Sequence, residues 1–326
     1  MDIEKLEVGY ASKGGYVRAV DKISLHVTKG EAFGLAGESG CGKTTAALSI
    51  MKLLPPGGKI LGGRILFDNQ DLAGLSELEL RKIRWKSISM VFQGAMNALN
   101  PVHKVGSQIT EALLLHEKIT RSKALHRAKD LLQMVGLDAS RGNDYPHQFS
   151  GGMKQRAIIA MALACNPRLV IADEPVTALD VIVQDQILKL MKRLQEELGL
   201  SMILISHDLS VIAQTCDSVA IMYAGKIVEY ADVISIFERP AHPYTQALVN
   251  AFPSVRSSRK LTAIPGSPPD LTRLPSGCRF HPRCPMKFDL CTREEPMLLR
   301  VEGGHYAACH LLQKNEGVIS VERNAG

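Results

Sequence analysis

The sequence predicts an α/β fold in which a parallel sheet is covered by helices over residues 1–240, followed by a small loop-rich cysteine module over 241–326. Three observations carry this prediction. Short apolar runs ending in glycine or acidic residues alternate with segments of helical period. Ten of the sixteen prolines fall between Pro240 and Pro296, so the regular texture stops near residue 240. Four of the seven cysteines lie after residue 277. A length of 326 residues fits about two domains, since domains run to ~100–200 residues.

The first clear element is Ala32-Phe-Gly-Leu-Ala, an apolar run short enough for a buried strand. A helix is predicted to start near Lys43. Residues 105–165 hold no clear strand and read as helical, with Ile109, Leu113 and Leu114 on one face. The helical subdomain is placed at about 97–165. Arg168-Leu-Val-Ile-Ala-Asp173 is a second buried strand, and Ser201-Met-Ile-Leu-Ile-Ser206 a third. Between them, Gln184 to Leu198 carries Ile187, Leu188, Met191, Leu194 and Leu198 near a 3.6 period, and Gly199 stops it.

Composition sets outer limits. At 45% hydrophobic and 22% charged the chain is globular, and with 5% aromatics its core must be mostly aliphatic. No run of 18 apolar residues predicts a membrane span, and the charged start Met1-Asp-Ile-Glu-Lys is no signal peptide, so a cytosolic chain is expected. The net charge of +6 is too small to argue for nucleic acid. Of that charge +4 lies from Pro253 onward, where eleven Lys/Arg face seven Asp/Glu. An odd cysteine count in a reducing compartment argues against disulfides and for metal ligands or reactive thiols.

Two motifs carry chemistry. Gly37-Glu-Ser-Gly-Cys-Gly-Lys43-Thr44 fits G-x-x-x-x-G-K-[ST] directly after the first predicted strand. Glycines let backbone N–H groups curl around phosphate oxygens, Lys43 brings charge to the β and γ phosphates, and the Thr44 hydroxyl can ligate Mg²⁺. Cys41 is read as filling space within the loop. The second motif is Asp173-Glu174 at the C-terminal end of a buried strand, where open α/β sheets bind ligands. One carboxylate suits the metal and the other an attacking water, so Asp173 is assigned to Mg²⁺ and Glu174 to the base.

With these, Ser150-Gly-Gly-Met-Lys-Gln155 ahead of Asp173 makes the chain resemble the ATP-binding subunits of ABC transporters, whose signature motif it matches in a variant form. The resemblance covers residues 1 to about 240 and implies a P-loop NTPase fold of the ABC type. It further implies that Ser150, Gly151 and Gly152 face the γ-phosphate bound by an opposite subunit. Ser39, Gly40, Gly42 and Thr45 would join Gly37, Cys41, Lys43 and Thr44 around the nucleotide. Gln93 in Met-Val-Phe-Gln resembles the glutamine that senses Mg²⁺ and contacts the transmembrane partner. Asp180 in Ala-Leu-Asp resembles the D-loop, and His207 in Ile-Ser-His-Asp the switch histidine at the γ-phosphate. Tyr10 matches the aromatic that stacks on adenine, with Tyr16 as its rival.

Cys278, Cys284, Cys291 and Cys309 are separated by five, six and seventeen residues. Four thiols so close in a Pro-rich stretch suit tetrahedral Zn²⁺ or an iron–sulfur cluster. The lack of a C-x-x-C pair favours the cluster. His281, His305 and His310 could replace a thiol. This tail, preceded by Pro240-Ala-His-Pro-Tyr-Thr-Gln-Ala-Leu248, resembles the extension of dipeptide, oligopeptide and nickel permease ATPases, and that resemblance implies a [4Fe–4S] site on the four cysteines. The expected function is an ATP-hydrolysing motor subunit on the cytoplasmic face of the membrane. Its expected partners are a second ATP-binding subunit, identical or paralogous, two transmembrane permease subunits and an extracytoplasmic solute-binding protein, with no nucleic acid.

Overall fold

A computed structural model describes residues 1–94, 98–251 and 264–315. Strands β1 (Asp2–Ser12) and β2 (Gly15–His26) form an antiparallel hairpin. The buried β3 (Ala32–Ala36) runs into the phosphate loop and α1 (Lys43–Ile50). Next come β4 (Gly58–Phe67), antiparallel to β1, and β5 (Gln70–Asp71) beside β4. Helix α2 (Glu77–Ile83) opens on a capping box in which Ser76 and Glu79 satisfy each other's backbone N–H, and leads to β6 (Ile88–Val91). Helices α3 (Val105–His116), α4 (Arg121–Met134) and α5 (Gly151–Ala162) follow.

The chain then alternates. It passes through β7 (Leu169–Asp173), α6 (Val181–Leu198), β8 (Ser201–Ser206), α7 (Leu209–Thr215) and β9 (Ser218–Tyr223). Strand β10 (Lys226–Asp232), α8 (Val233–Glu238) and α9 (Pro243–Asn250) come next. The tail adds α10 (Asp289–Arg293), β11 (Leu299–Glu302), β12 (His305–Ala307) and α11 (His310–Asn315).

Two sheets result, ordered β2-β1-β4-β5 and β11-β12-β10-β9-β3-β8-β7-β6. In the larger one β9, β3, β8, β7 and β6 are parallel, while β10 and β12 are antiparallel additions at one edge. Side chains alternate across each central strand, so the parallel strands divide their residues between two cores. Phe33, Leu35, Ile171, Ile203 and Ile205 face the smaller sheet and α1. Ala32, Ala36, Val170, Ala172, Met202 and Leu204 face the helices. Both faces are covered, which is why these strands read as unbroken apolar runs.

The helical expectations need two adjustments. Ile109 and Leu113 are fully buried, but Leu114 is 41% exposed. One step beyond Leu113 turns a side chain about 100° around the helix. On α6, Ile187, Leu188, Met191 and Leu194 are buried and Leu198 is exposed, because its turn is the last one before Gly199 ends the helix in the left-handed region.

The tail joins the larger sheet. Strand β12 pairs with β10, and β11 with β12. The fully buried Glu229 on β10 anchors this edge: its carboxylate accepts the N–H groups of Ala241 (2.6 Å) and His242 (2.8 Å) and the Nε2 of His305 (2.7 Å). Burial drives His242 down to about 4, so its Nδ1 stays free to accept the Tyr244 N–H and cap α9.

Candidate functional site

The phosphate loop lies between the end of β3 and the start of α1. Its glycines are structural requirements at two positions. A Cβ on Gly37 (φ +151°) would lie 2.1 Å from the Met222 carbonyl oxygen, and one on Gly42 (φ +109°) 2.2 Å from the Ala19 carbonyl oxygen. No side chain fits either place. Ser39 and Gly40 form the exposed tip, while Cys41 is 3% exposed and burial pushes its thiol up, as suits a space filler. Lys43, buried at the base, donates from Nζ to the carbonyls of Gly37 (2.6 Å) and Glu38 (3.0 Å). Its ammonium is therefore held inside the curl of the loop.

At the ends of β7 and β8 the acidic and switch residues converge. Glu174 has φ +47°, a left-handed conformation rare outside glycine, and its N–H donates to the Ile205 carbonyl. This turn presents the carboxylate to three donors or partners. Oε1 lies 2.8 Å from His207 Nδ1, while Oε2 accepts Gln93 Nε2 (2.8 Å) and the Thr177 hydroxyl (3.1 Å). Burial by itself would raise the Glu174 pKa, but the His207 hydrogen bond and charge, with help from Thr177 and Lys43, bring it below its ordinary value.

Asp173 is set differently. It is 1% exposed, and burial raises its pKa against the opposing pull of a Thr44 hydrogen bond and the Lys43 charge. Its Oδ1 is buried and has no partner. An orphaned carboxylate oxygen beside the Thr44 hydroxyl is what a hydrated Mg²⁺ would satisfy, so the residues present fit Mg-nucleotide. Thr44 and Asp173 would hold the metal, with Gln93 within reach through Glu174.

The remaining residues divide into two places. Tyr10, on β1, puts its hydroxyl 3.3 Å from Thr45 Oγ1 at the start of α1, whereas Tyr16 lies on β2 and is 46% exposed. Ser150 caps α5 by accepting the Met153 N–H, and Asp180 caps α6 by accepting the Val183 N–H. A Cβ on Gly152 would meet Val183 at 2.7 Å, so the starts of these two helices are packed together. Ser150, Gly151, Gly152 and Asp180 thus form a surface of their own, with no hydrogen bond to the phosphate loop among the described residues. Sequence reasoning missed Thr177, although a hydroxyl three residues after Glu174 was visible. It also missed Glu38, Tyr244 and Arg283, which meet across 245 positions and leave no local signal.

A family profile described as ABC transporter matches residues 20–177, and one described as the C-terminal region of oligopeptide/dipeptide transporters matches 228–291. A probable peptide ABC transporter ATP-binding protein of Sinorhizobium fredii is 46% identical over 95% of this chain and 94% of its own length. The chain belongs to the ATP-binding subunits of the oligopeptide/dipeptide ABC transporter family. An oligopeptide transport ATP-binding protein of Bacillus subtilis is 48% identical over 96% of this chain and 88% of its own. Among solved structures, a dimeric ATP-binding cassette in a post-hydrolysis state with ADP and Pi superposes with a TM-score of 0.64 at 29% identity, covering 71% of this chain and 98% of that one. As a member of this family the chain binds and hydrolyses ATP. No helix among the described residues is long and apolar enough to cross a membrane.

The cluster expectation is corrected. Cys278, Cys284, Cys291 and Cys309 do line one small cavity, together with Pro243, Phe280, Met286 and Leu311. Yet no group of three or more His, Cys, Asp or Glu among the described residues is arranged to hold a metal ion, and the matched relatives are named only as ATP-binding proteins. Neither the [4Fe–4S] site nor its zinc alternative stands. Burial pushes the Cys278 and Cys284 thiols up and Cys309 to about 11, and Cys278 and Cys284 pack against the core as small apolar groups. His281 and His310, the proposed substitutes, instead bond the carbonyls of Cys278 and Glu294, and His305 bonds Glu229.

Proposed function

We propose that this chain is the motor subunit of an importer for di- or oligopeptides, working at the cytoplasmic face of the membrane. The observation that carries its mechanism is the convergence of Gln93, Thr177 and His207 on Glu174, one residue from the buried, half-satisfied Asp173. On this reading Gly37–Thr45 and Tyr10 bind the nucleotide, and Thr44 and Asp173 hold Mg²⁺, which supplies charge neutralisation at the phosphates. Glu174 takes the proton of the attacking water, and His207 orients its carboxylate. Gln93 reports occupancy to the membrane partner through the same carboxylate.

Ser150, Gly151, Gly152 and Asp180 are assigned to the nucleotide of a second subunit, identical or paralogous, since their surface is separate from this chain's own loop. The exposed Val181 and Ile182 beside Asp180 suit burial in such a contact. Residues 1–240 are assigned to the cassette, with the helical part at about 97–165, and 241–326 to the family extension. The peptide substrate rests on the relatives' names, oligopeptide and dipeptide transport ATP-binding proteins. The test is copurification with two transmembrane subunits. ATPase activity of that complex should rise when a solute-binding protein loaded with short peptides is added. An assembly indifferent to peptide but stimulated by another solute would replace the substrate assignment.

A further inference from the structure

The C-terminal segment reaches the phosphate loop itself. Glu38, the second residue of the loop, accepts a two-pronged bond from the Arg283 guanidinium, Nη1 to Oε2 at 2.6 Å and Nη2 to Oε1 at 2.9 Å. The Glu38 N–H donates to the Tyr244 hydroxyl at 2.9 Å, and the Glu38 carbonyl is one of the two that receive Lys43. All three groups of Glu38 are therefore engaged, two of them by residues beyond position 240. Both partners are rigid. Tyr244 is fully buried, against Tyr223 and Phe280. The Arg283 side chain is 6% exposed, donates from Nε to the Pro265 carbonyl, and lies over the rings of Tyr223 and Phe280. Planar, fixed and bidentate, this arginine is a clamp that a lysine would not reproduce.

The chemistry gives the clamp a purpose. A carboxylate in the loop that cradles a polyphosphate is a charge of the wrong sign. In place, the Arg283 guanidinium neutralises Glu38 and turns its carboxylate toward the C-terminal segment. Left unpaired, the carboxylate would repel phosphate and compete for the Lys43 ammonium. We propose that Arg283 and Tyr244 are positioning residues for nucleotide binding, by which the C-terminal segment holds the phosphate loop in its receptive shape and screens the Glu38 charge. This rests on Gly37–Thr44 being the ATP site, and it gives the cysteine-rich extension a task at that site.

The test is a double-mutant cycle on the full chain, measured as equilibrium MgATP binding and as ATPase kinetics. Arg283→Met should weaken MgATP binding about thirtyfold, the lower end of the range for truncating one partner of a buried charge pair. Combining it with Glu38→Gln should restore affinity to within about threefold, because no unpaired carboxylate then faces the phosphates. A merely structural arginine would not be rescued this way. In turnover, KM for ATP should rise with kcat held within about twofold, since the Glu174 cluster is untouched. MgATP affinity unchanged in folded Arg283→Met, or a double variant as weak as the single, overturns the proposal. Should Arg283→Met fail to fold, Tyr244→Phe removes only the hydroxyl that accepts Glu38 N–H. Its KM should rise about threefold, the scale of one hydrogen bond, and no rise would refute the clamp. Lys43→Ala is the separate control: wild-type MgATP binding there would defeat the phosphate-loop assignment itself.

Discussion

Replacing Glu174 by glutamine separates its chemistry from its structural contacts. Oε2 accepts both Gln93 Nε2 and the Thr177 hydroxyl, so the amide oxygen of glutamine will keep that place. The new NH₂ then faces His207 Nδ1, which can accept in its other tautomer. All three contacts survive, and folding stability should change by no more than about 1 kcal/mol. What vanishes is the base. General-base catalysis contributes ~10²–10⁴-fold, so turnover should fall about a thousandfold, or about 4 kcal/mol of barrier. MgATP binding should stay within about threefold, because Lys43, Thr44 and Asp173 are untouched. The assay is phosphate release alongside size-exclusion chromatography, where an ATP-bound dimer should accumulate in the variant. Normal turnover in a folded, ATP-binding Glu174→Gln chain would refute the assignment of Glu174 as the base.

Further outcomes follow from the same geometry. Asp173→Asn should abolish Mg-dependent turnover yet raise the thermal stability of the nucleotide-free protein at neutral pH, because a neutral amide is buried at lower cost than a carboxylate. The sign follows from burial: a carboxyl whose pKa is raised on folding contributes fully at low pH and loses that contribution as pH rises through the raised value. The gain in thermal stability should therefore vanish below the usual carboxylate range, and a gain that persists there would count against it. Gly37→Ala should cost at least about 3 kcal/mol and abolish ATP binding, because its Cβ meets the Met222 carbonyl, whereas Gly40→Ala, in open space, should cost about 1 kcal/mol. Thermal melts that rank the two in the opposite order would contradict the loop geometry. Tyr10→Ala should weaken ATP binding about tenfold through lost stacking, while Tyr16→Ala should leave it within about twofold, measured by titration with MgATP.

Much of the fold was legible where chemistry is local. The runs at Ala32, Leu169 and Ser201 are strands because four or five consecutive apolar residues can be buried on both faces only in a covered parallel sheet. The antiparallel sheet of β1, β2 and β4 was not legible, since register shifts along β1 break the two-residue alternation. Strands β11 and β12 are too short, at four and three residues, to signal themselves. The cysteine spacing misled for a related reason. Proximity along the chain and even a shared cavity do not by themselves supply ligating geometry.

Sequence by itself determined the nucleotide chemistry. The glycines, Lys43 and Thr44 are contiguous, and Asp173-Glu174 ends a strand, so each group is placed by a few bonds of its own backbone. Only the tertiary structure decided what surrounds them. It set one carboxylate below and its neighbour above their ordinary pKa values, gathered Gln93, Thr177 and His207 on Glu174, and brought Arg283 to Glu38. Those outcomes depend on burial and on hydrogen bonds between residues distant in the chain, quantities that exist only once the sheets have closed on one another.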